Sequence, residues 1–351
     1  MSIEIAKSAI DSLISKARVH LYKPIQIAEI LYRNRTVKDI NTLELETYRN
    51  TSKRWRDVIC IQFLGRTSTS SAKYQDDLFN ETAIPPNILN ILAIENDEKN
   101  GIVEAYIYRK FLERFSQMHS AISYCNDRNP DNFHLKEFLD LFWNEPGLRR
   151  SIDKIYEIIV YSLFSALVEA IDVKIKVFYD ESKNEILNDF SDFSDKVLQL
   201  SSEISSFVLD AKINRVGVTN AADRGLDMWA NFGLAIQIKH LSLTEELAEN
   251  IVSSVTSDRI IIVCKTTEEK VINSLLTQLG WKSKIQSIIT EDELISWYDK
   301  ALRGRFSNEL GQKIIENIKN EIAIEFPATN NTEFLDFYKS RGYDILSDEN
   351  W

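Results

Sequence analysis

The sequence predicts an α/β fold of the α+β kind: a mixed central sheet flanked by helices, preceded by a mostly helical N-terminal region. Three observations carry this expectation. Ile236-Gln237-Ile238-Lys239 alternates apolar and polar residues with period two, the mark of a strand. From residue 149 onward, helical stretches alternate with short apolar runs such as KIKVFYD (174–180) and RIIIVCK (259–265), the pattern of a sheet covered by helices. Before Pro146-Gly147, by contrast, the chain reads almost wholly as helix, with no repeats and no low-complexity linker.

Taken in order, MSIEIAKSAIDSLISKARVH has the spacing of an amphipathic helix over 2–20 and lacks the central apolar block of a signal peptide. A second helix is expected over 24–33, starting at Pro24, whose missing N–H costs nothing at that position. ELETYRNTSKRWRDVICIQFLGRTSTSSAKYQ then carries the densest basic cluster in the chain, and helices follow over 86–95, 98–125 and 134–143. This first region is expected to run over 1–147. RRSIDKIYEIIVYSLFSALVEAI (149–171) reads as a long helix, apolar enough to be largely buried, yet it carries Glu157 and Glu169. A buried glutamate is costly unless it is paired or metal-linked. After the strand at 174–180, residues 183–209 read as a helical insertion at the edge of the core. KINRVGV, a hairpin, a helix at 244–256, the strand at 259–265, a helix at 267–279, a short strand near 284–289 and a helix at 291–302 complete a core expected over 148–305. A C-terminal helix and tail are expected over 306–351.

Composition narrows the possible functions. At 351 residues the chain has room for two domains or one large one, and 44% hydrophobic residues indicate a packed core. No apolar run reaches the length needed to span a bilayer, so no membrane partner is expected and the predicted compartment is the cytoplasm. Cys60, Cys125 and Cys264 are scattered, with no metal spacing, and read as reduced, buried thiols. His20, His119, His134 and His240 are equally scattered, which argues against a zinc site or a His-centred nuclease. No GxxxxGK[ST] run is present, so no nucleotide cofactor is expected. The net charge of −11 requires that any DNA-binding surface be locally basic, because phosphate neutralisation supplies much of such affinity.

The chemistry concentrates in NAADRGLDMWANFGLAIQIKH (220–240). Asn231-Phe232-Gly233 has the composition of a tight connection, which folds Asp227 back beside Gln237 and Lys239. On a strand, residues i and i+2 share a face, so a carboxylate, an amide oxygen and an ammonium converge. Hard oxygens of this kind suit Mg²⁺. The metal would polarise a phosphoryl group and help generate hydroxide, while Lys239 offsets charge or orients the water. An ordinary hairpin with one amphipathic lysine has the same spacing; the order of the surrounding elements favours the catalytic reading. For nucleic-acid contact the candidates are Arg49, Lys53, Arg54, Arg56, Arg66 and Lys73, set among Trp55, Tyr74 and the hydroxyls of 67–71. Arginines, hydroxyls and aromatics together grip phosphates and read guanine edges, although a solvated helix face and a loop would look alike.

Asp227…Gln237-x-Lys239 resembles the PD-(D/E)xK nuclease superfamily, in the variant with Gln in place of Glu. The core of that superfamily is a helix, a three-strand meander, a helix and a strand. More specifically, the chain resembles type II restriction endonucleases of the HaeII type, on LYKPIQIAEILYRNR, KIYEIIVYSLFSALVEAI and the 220–240 segment, over most of its length. The resemblance implies Mg²⁺-dependent cleavage of double-stranded DNA at a short palindrome, for this type purine-GCGC-pyrimidine, within a restriction–modification system. Two-fold symmetry of such a site implies a homodimer, with the dimer contacts and the DNA-recognition contacts expected from the helical region 1–147. Gln237 leaves the metal site one charge short, and Glu157 is the candidate for the missing carboxylate. Two other readings compete: a non-catalytic DNA- or protein-binding module built on a degenerate nuclease core, and another Mg²⁺-dependent DNA or RNA phosphodiesterase. No aromatic-rich single-strand platform favours the last.

Overall fold

The helices form where apolar residues recur at helical spacing, and several of their ends are set by local chemistry. The computed structural model describes the chain apart from residues 1, 18–19, 69–70, 146, 217–225, 240–256, 258, 265–284, 327–330 and 347–350. In chain order the helices are α1 (Ile3–Lys16), α2 (Tyr22–Thr36), α3 (Ser52–Leu64), α4 (Ala72–Phe79), α5 (Pro86–Glu98), α6 (Ile102–Asn126), α7 (Leu135–Asn144) and α8 (Ile152–Ala170). Proline opens α5, and the Ser71 hydroxyl caps α4 by accepting from the Tyr74 N–H. Gly65 ends α3 in the left-handed region, at φ 65°.

The chain divides into two units. The first comprises residues 1–128, 132–155 and 319–351. Its core is aliphatic and aromatic: Ile25, Ile27 and Leu31 of α2 are buried, as are Tyr108 and Phe111 of α6. Within it lies a charged lattice. Arg341 grips Glu29 with both terminal nitrogens, at 2.6 and 3.1 Å, and its guanidinium lies 3.7 Å from the centroid of the Tyr32 ring. Arg35 holds Glu104 in the same bidentate way, at 3.1 and 3.0 Å, and Asn96 donates to the same carboxylate at 2.6 Å. The Tyr108 and Tyr343 hydroxyls donate to Glu29 and Glu104 respectively. Every charge taken out of water here is paired and hydrogen-bonded, the condition under which burial is tolerable. Gly101 takes φ 98°, a conformation in which other residues are strained, and a Cβ there would also crowd Arg35 Nη2 at 3.0 Å.

The second unit comprises residues 129–131 and 156–318. Its main sheet has the order β3-β4-β5-β6-β7, built from Ile213–Arg215, Met228–Ala230, Leu234–Lys239, Ile260–Cys264 and Ile285–Thr290. The first three strands form an antiparallel meander and the last two join in parallel, so the sheet is mixed as expected. Thr290 ends β7 and starts helix α11 (Glu291–Arg303) with a reciprocal capping box to Glu293. Helix α12 (Ser307–Glu325) runs out of this unit, and α13 (Asn331–Ser340) belongs to the first. The helices expected over 244–256 and 267–279 lie outside the described residues.

One stretch departs from expectation. Strand β1 (Lys174–Phe178) pairs not with the main sheet but with β2 (Ser206–Asp210), in a separate antiparallel ribbon. The helical run expected over 183–209 is confined to α9 (Asn184–Asp189), α10 (Ser191–Phe193) and a π-turn at Ser194–Leu198. Gln199 takes a left-handed conformation (φ 56°) that no helix continues through, and Phe207, Val208 and Leu209 then find ladder partners in Val177, Lys176 and Ile175. Among the described residues no helix is long and apolar enough to cross a membrane.

Candidate active site

Strands β4 and β5 pair as Met228↔Ile236, Trp229↔Ala235 and Ala230↔Leu234, joined through Gly233 at φ 82°. The turn is local: Gly233 N–H donates to the Ala230 carbonyl at 3.0 Å, closing the loop that the sequence marks with Asn-Phe-Gly. One further step along the ladder sets Asp227 opposite Gln237. Residues directly opposite in an antiparallel pair share a face, and so do Gln237 and Lys239 along β5. The expected trio therefore occupies one face, together with the half-exposed Trp229. Asp227 is fixed twice: its carbonyl accepts from Val216 N–H at 2.9 Å, and its Oδ2 accepts from Ile238 N–H at 2.7 Å. Gln237 is buried, and Lys239 is partly exposed at the end of its strand. Register with Ile262 and Cys264 on β6 holds β5 against a dry neighbour, which makes the platform rigid. The opposite face of the sheet carries Ile213, Met228, Ala230, Ile236 and Ile238, all buried.

Glu157 is buried on α8 as expected, but its described partner is Arg215, at 3.7 Å. Arg215 pairs in register with Met228, so by alternation it belongs to the apolar face rather than to the face of Asp227, Gln237 and Lys239. Both side chains of this pair are 6% exposed. The carboxylate that the sequence offers as a third ligand is thus drawn into an ion pair on the core side. Arg215 itself carries no local signal; only the packing of α8 against the sheet reveals its role.

A sequence profile of the HaeII restriction endonuclease family matches residues 6–343. The chain belongs to that family. It is 66% identical over 346 residues to the type II restriction enzyme HaeII of Haemophilus aegyptius, covering 99% of this chain and 98% of the relative. It is 58% identical over 341 residues to the type II restriction enzyme NgoBI of Neisseria gonorrhoeae, covering 97% of each. No solved structure matches it significantly. As a restriction endonuclease the chain is a DNA-binding hydrolase.

For this restriction endonuclease the basic cluster in the first unit divides by burial. Arg56 is fully buried: it donates to Asp57 at 2.9 Å and to Gln26 Oε1 at 3.3 Å, and lies 5.4 Å from the Tyr74 ring. Its guanidinium is held in the interior of the first unit, unlike those of the exposed basic residues. Arg66 is tied to His20 at 2.7 Å and to the Glu325 carbonyl, and Arg49 is ion-paired to Asp76. Lys53 is half-buried, whereas Arg54 and Lys73 are exposed. The sequence gives all six side chains equal standing because each is basic; the difference between them lies in what packs behind them.

Proposed function

We propose that this restriction endonuclease cuts double-stranded DNA at a short palindrome in a Mg²⁺-dependent reaction centred on Asp227, Gln237 and Lys239. The observation that carries the reading is the shared face of these three residues, with the Asp227 carboxylate oriented by the Ile238 N–H at 2.7 Å. A carboxylate and a neutral amide are a donor set that fits Mg²⁺, which favours oxygen and keeps several waters. Among the described residues no three His, Cys, Asp or Glu side chains gather at one point, so Asp227 and Gln237 are the protein groups that would hold the ion. Bound there, the ion would supply Lewis-acid polarisation of the phosphoryl oxygen and a lowered water pKa. Asp227 would hold the ion beside the scissile phosphate, and Gln237 would add an oxygen without adding charge. Lys239 offsets the negative charge that develops on the phosphoryl group and aligns the attacking water. Glu157 acts as the anchor of Arg215 and supports the meander from behind.

The family relationship extends the reading to purine-GCGC-pyrimidine sites, to a partner methylation activity, and to action in the cytoplasm. A palindrome has two equivalent scissile phosphates, which a C2 homodimer matches with two active sites. Digestion of a sequenced plasmid tests the whole: with Mg²⁺, discrete fragments are expected whose mapped ends fall at one palindromic sequence, and with EDTA, none. Fragments at scattered sequences, or cutting in EDTA, would overturn it.

In the recognition region, Lys53, Arg54 and Lys73 are the proposed DNA contacts. Arg54→Ala is expected to cost about 1–3 kcal/mol and to relax discrimination at one base pair, as loss of a bidentate guanine contact does. Lys53→Ala and Lys73→Ala should weaken all sequences alike and lower the salt slope by about one each. Binding to cognate and one-base-changed duplexes across a salt series distinguishes these effects; unaltered affinity and discrimination in all three variants would remove this region from the interface.

A further inference from the structure

The sheet face that holds Asp227, Gln237 and Lys239 carries one more large side chain, to which the catalytic reading gives no task. Trp229 lies two residues after Asp227, so the two share that face, one step of about 7 Å apart. Its strand neighbours Met228 and Ala230 are buried, yet Trp229 is 43% exposed. Across the ladder it stands between Asn214 on β3 and Ala235 on β5, and alanine is too short to cover an indole. Three other tryptophans are held by a cation or a ring: Trp55 by Arg33 at 4.7 Å, Trp297 by Phe164 at 6.2 Å and Trp351 by Tyr106 at 5.5 Å. Among the described residues no ring or cation covers Trp229 in this way. A bare indole forgoes the gain that burying an aromatic side chain brings, which marks it for a ligand.

The surroundings select that ligand. By alternation the same face carries Lys239 at the end of β5 and Lys212, which is exposed two residues before Asn214. Asp210, the acid nearest to Lys212 in the chain, is held by Lys174 at 2.7 Å. A carboxylate suited to a metal, two ammonium groups, an amide and an apolar ring thus follow one another along one face. These groups suit a sugar–phosphate backbone: cations and the amide for phosphate oxygens, and the ring for the C–H face of a deoxyribose. The indole Nε1–H adds one more donor. In a duplex the bases are stacked inward, so a ring one step from the scissile phosphate meets a sugar before it meets a base edge.

We infer that Trp229 is a substrate-contacting residue, which packs against the deoxyribose next to the scissile phosphate and so holds that phosphate over Asp227 and Gln237. The inference rests on the active-site reading above. A sugar contact carries no sequence information. Trp229→Ala is therefore expected to weaken binding of cognate and one-base-changed duplexes alike, on the order of tenfold, the scale of losing one partly buried aromatic contact. Trp229→Phe keeps an apolar ring and should retain most of the affinity. An alanine variant that binds as tightly as the unaltered protein, or that loses affinity for the cognate duplex alone, would overturn the sugar contact.

Fluorine NMR reads the contact in the full chain without the alanine variant. Protein labelled with 5-fluorotryptophan gives one resonance for each of its 6 tryptophans, and Trp229→Phe identifies the one that belongs to residue 229. With Ca²⁺ in place of Mg²⁺ to keep the DNA uncut, a duplex bearing the mapped cleavage site should shift that resonance and leave those of the ring-paired Trp297 and Trp351 in place. A Trp229 resonance that stays put in the bound complex would overturn the contact. So would one that moves when the protein is concentrated without DNA, which would place the indole against a second copy of the chain. If Trp229 responds to the duplex while Asp227→Ala still cuts, the contact stands and the catalytic assignment falls. If Asp227→Ala is inactive and Trp229 does not respond, the catalytic assignment stands and the contact falls.

Discussion

Replacing Asp227 or Lys239 by alanine is expected to lower the rate of plasmid cleavage by about a hundred- to a thousand-fold or more, the scale on which removing one preorganised charge-stabilising group acts. The protein should remain folded in both cases. Asp227 lies just before β4, and Lys239 is partly exposed at the end of β5, so neither truncation opens the dry face formed by Met228, Ile236 and Ile238. The two variants should fail differently. Asp227→Ala removes a metal ligand, so Mg²⁺ binding by calorimetry on cognate DNA should weaken. Lys239→Ala should bind metal and DNA almost normally and be slow in the chemical step. Gln237 supplies the internal control: Gln237→Glu should cut with a shifted Mg²⁺ or Mn²⁺ optimum, and Gln237→Leu should lose metal affinity. If either alanine variant cuts at near the unaltered rate, this face of the sheet is not the active site.

Arg341→Ala should produce the largest loss of stability of any single change considered. It strips Glu29 of a bidentate partner in the interior of the first unit, where both side chains are mostly buried. Breaking a buried ion pair from one side costs about 3–5 kcal/mol, because the remaining charge cannot return to water. The same change removes the guanidinium from the Tyr32 and Phe337 rings, at 3.7 and 4.4 Å. Against a total stability of about 5–15 kcal/mol this is a large fraction, and the melting temperature should fall by on the order of 10 °C. Glu29→Leu added to Arg341→Ala should recover part of the loss, since an apolar replacement no longer strands a charge. A single variant that melts with the unaltered protein would show that the lattice contributes little.

The shared face of Asp227, Gln237 and Lys239 was legible because everything that brings these residues together is local. A period-two run fixes which residues share a face, and a three-residue connection containing glycine brings Asp227 back to Gln237 within one hairpin. The same locality made α6, α7, β6 and the start of α11 readable, give or take a few residues at their ends. The mixed sheet was expected from apolar runs separated by stretches with helical spacing.

What the sequence left open was decided by contacts between residues far apart in the chain. Phe207-Val208-Leu209 is apolar without a decisive period, and its pairing with 174–178 made it a strand. Arg56 and Arg54 are neighbours of the same charge on one helix, yet a turn of about 100° per residue sends one into the polar interior of Gln26, Asp57 and Tyr74 and the other to solvent. Glu157 had either a metal or a basic residue as its plausible counter-charge, and the packing of α8 on the meander supplied Arg215. By itself the sequence determined which side chains share the candidate face, since side-chain type and short-range spacing set it. Tertiary structure alone decided which charges are available to that face, because the low dielectric of the interior binds every buried ion to whichever partner the fold brings within reach.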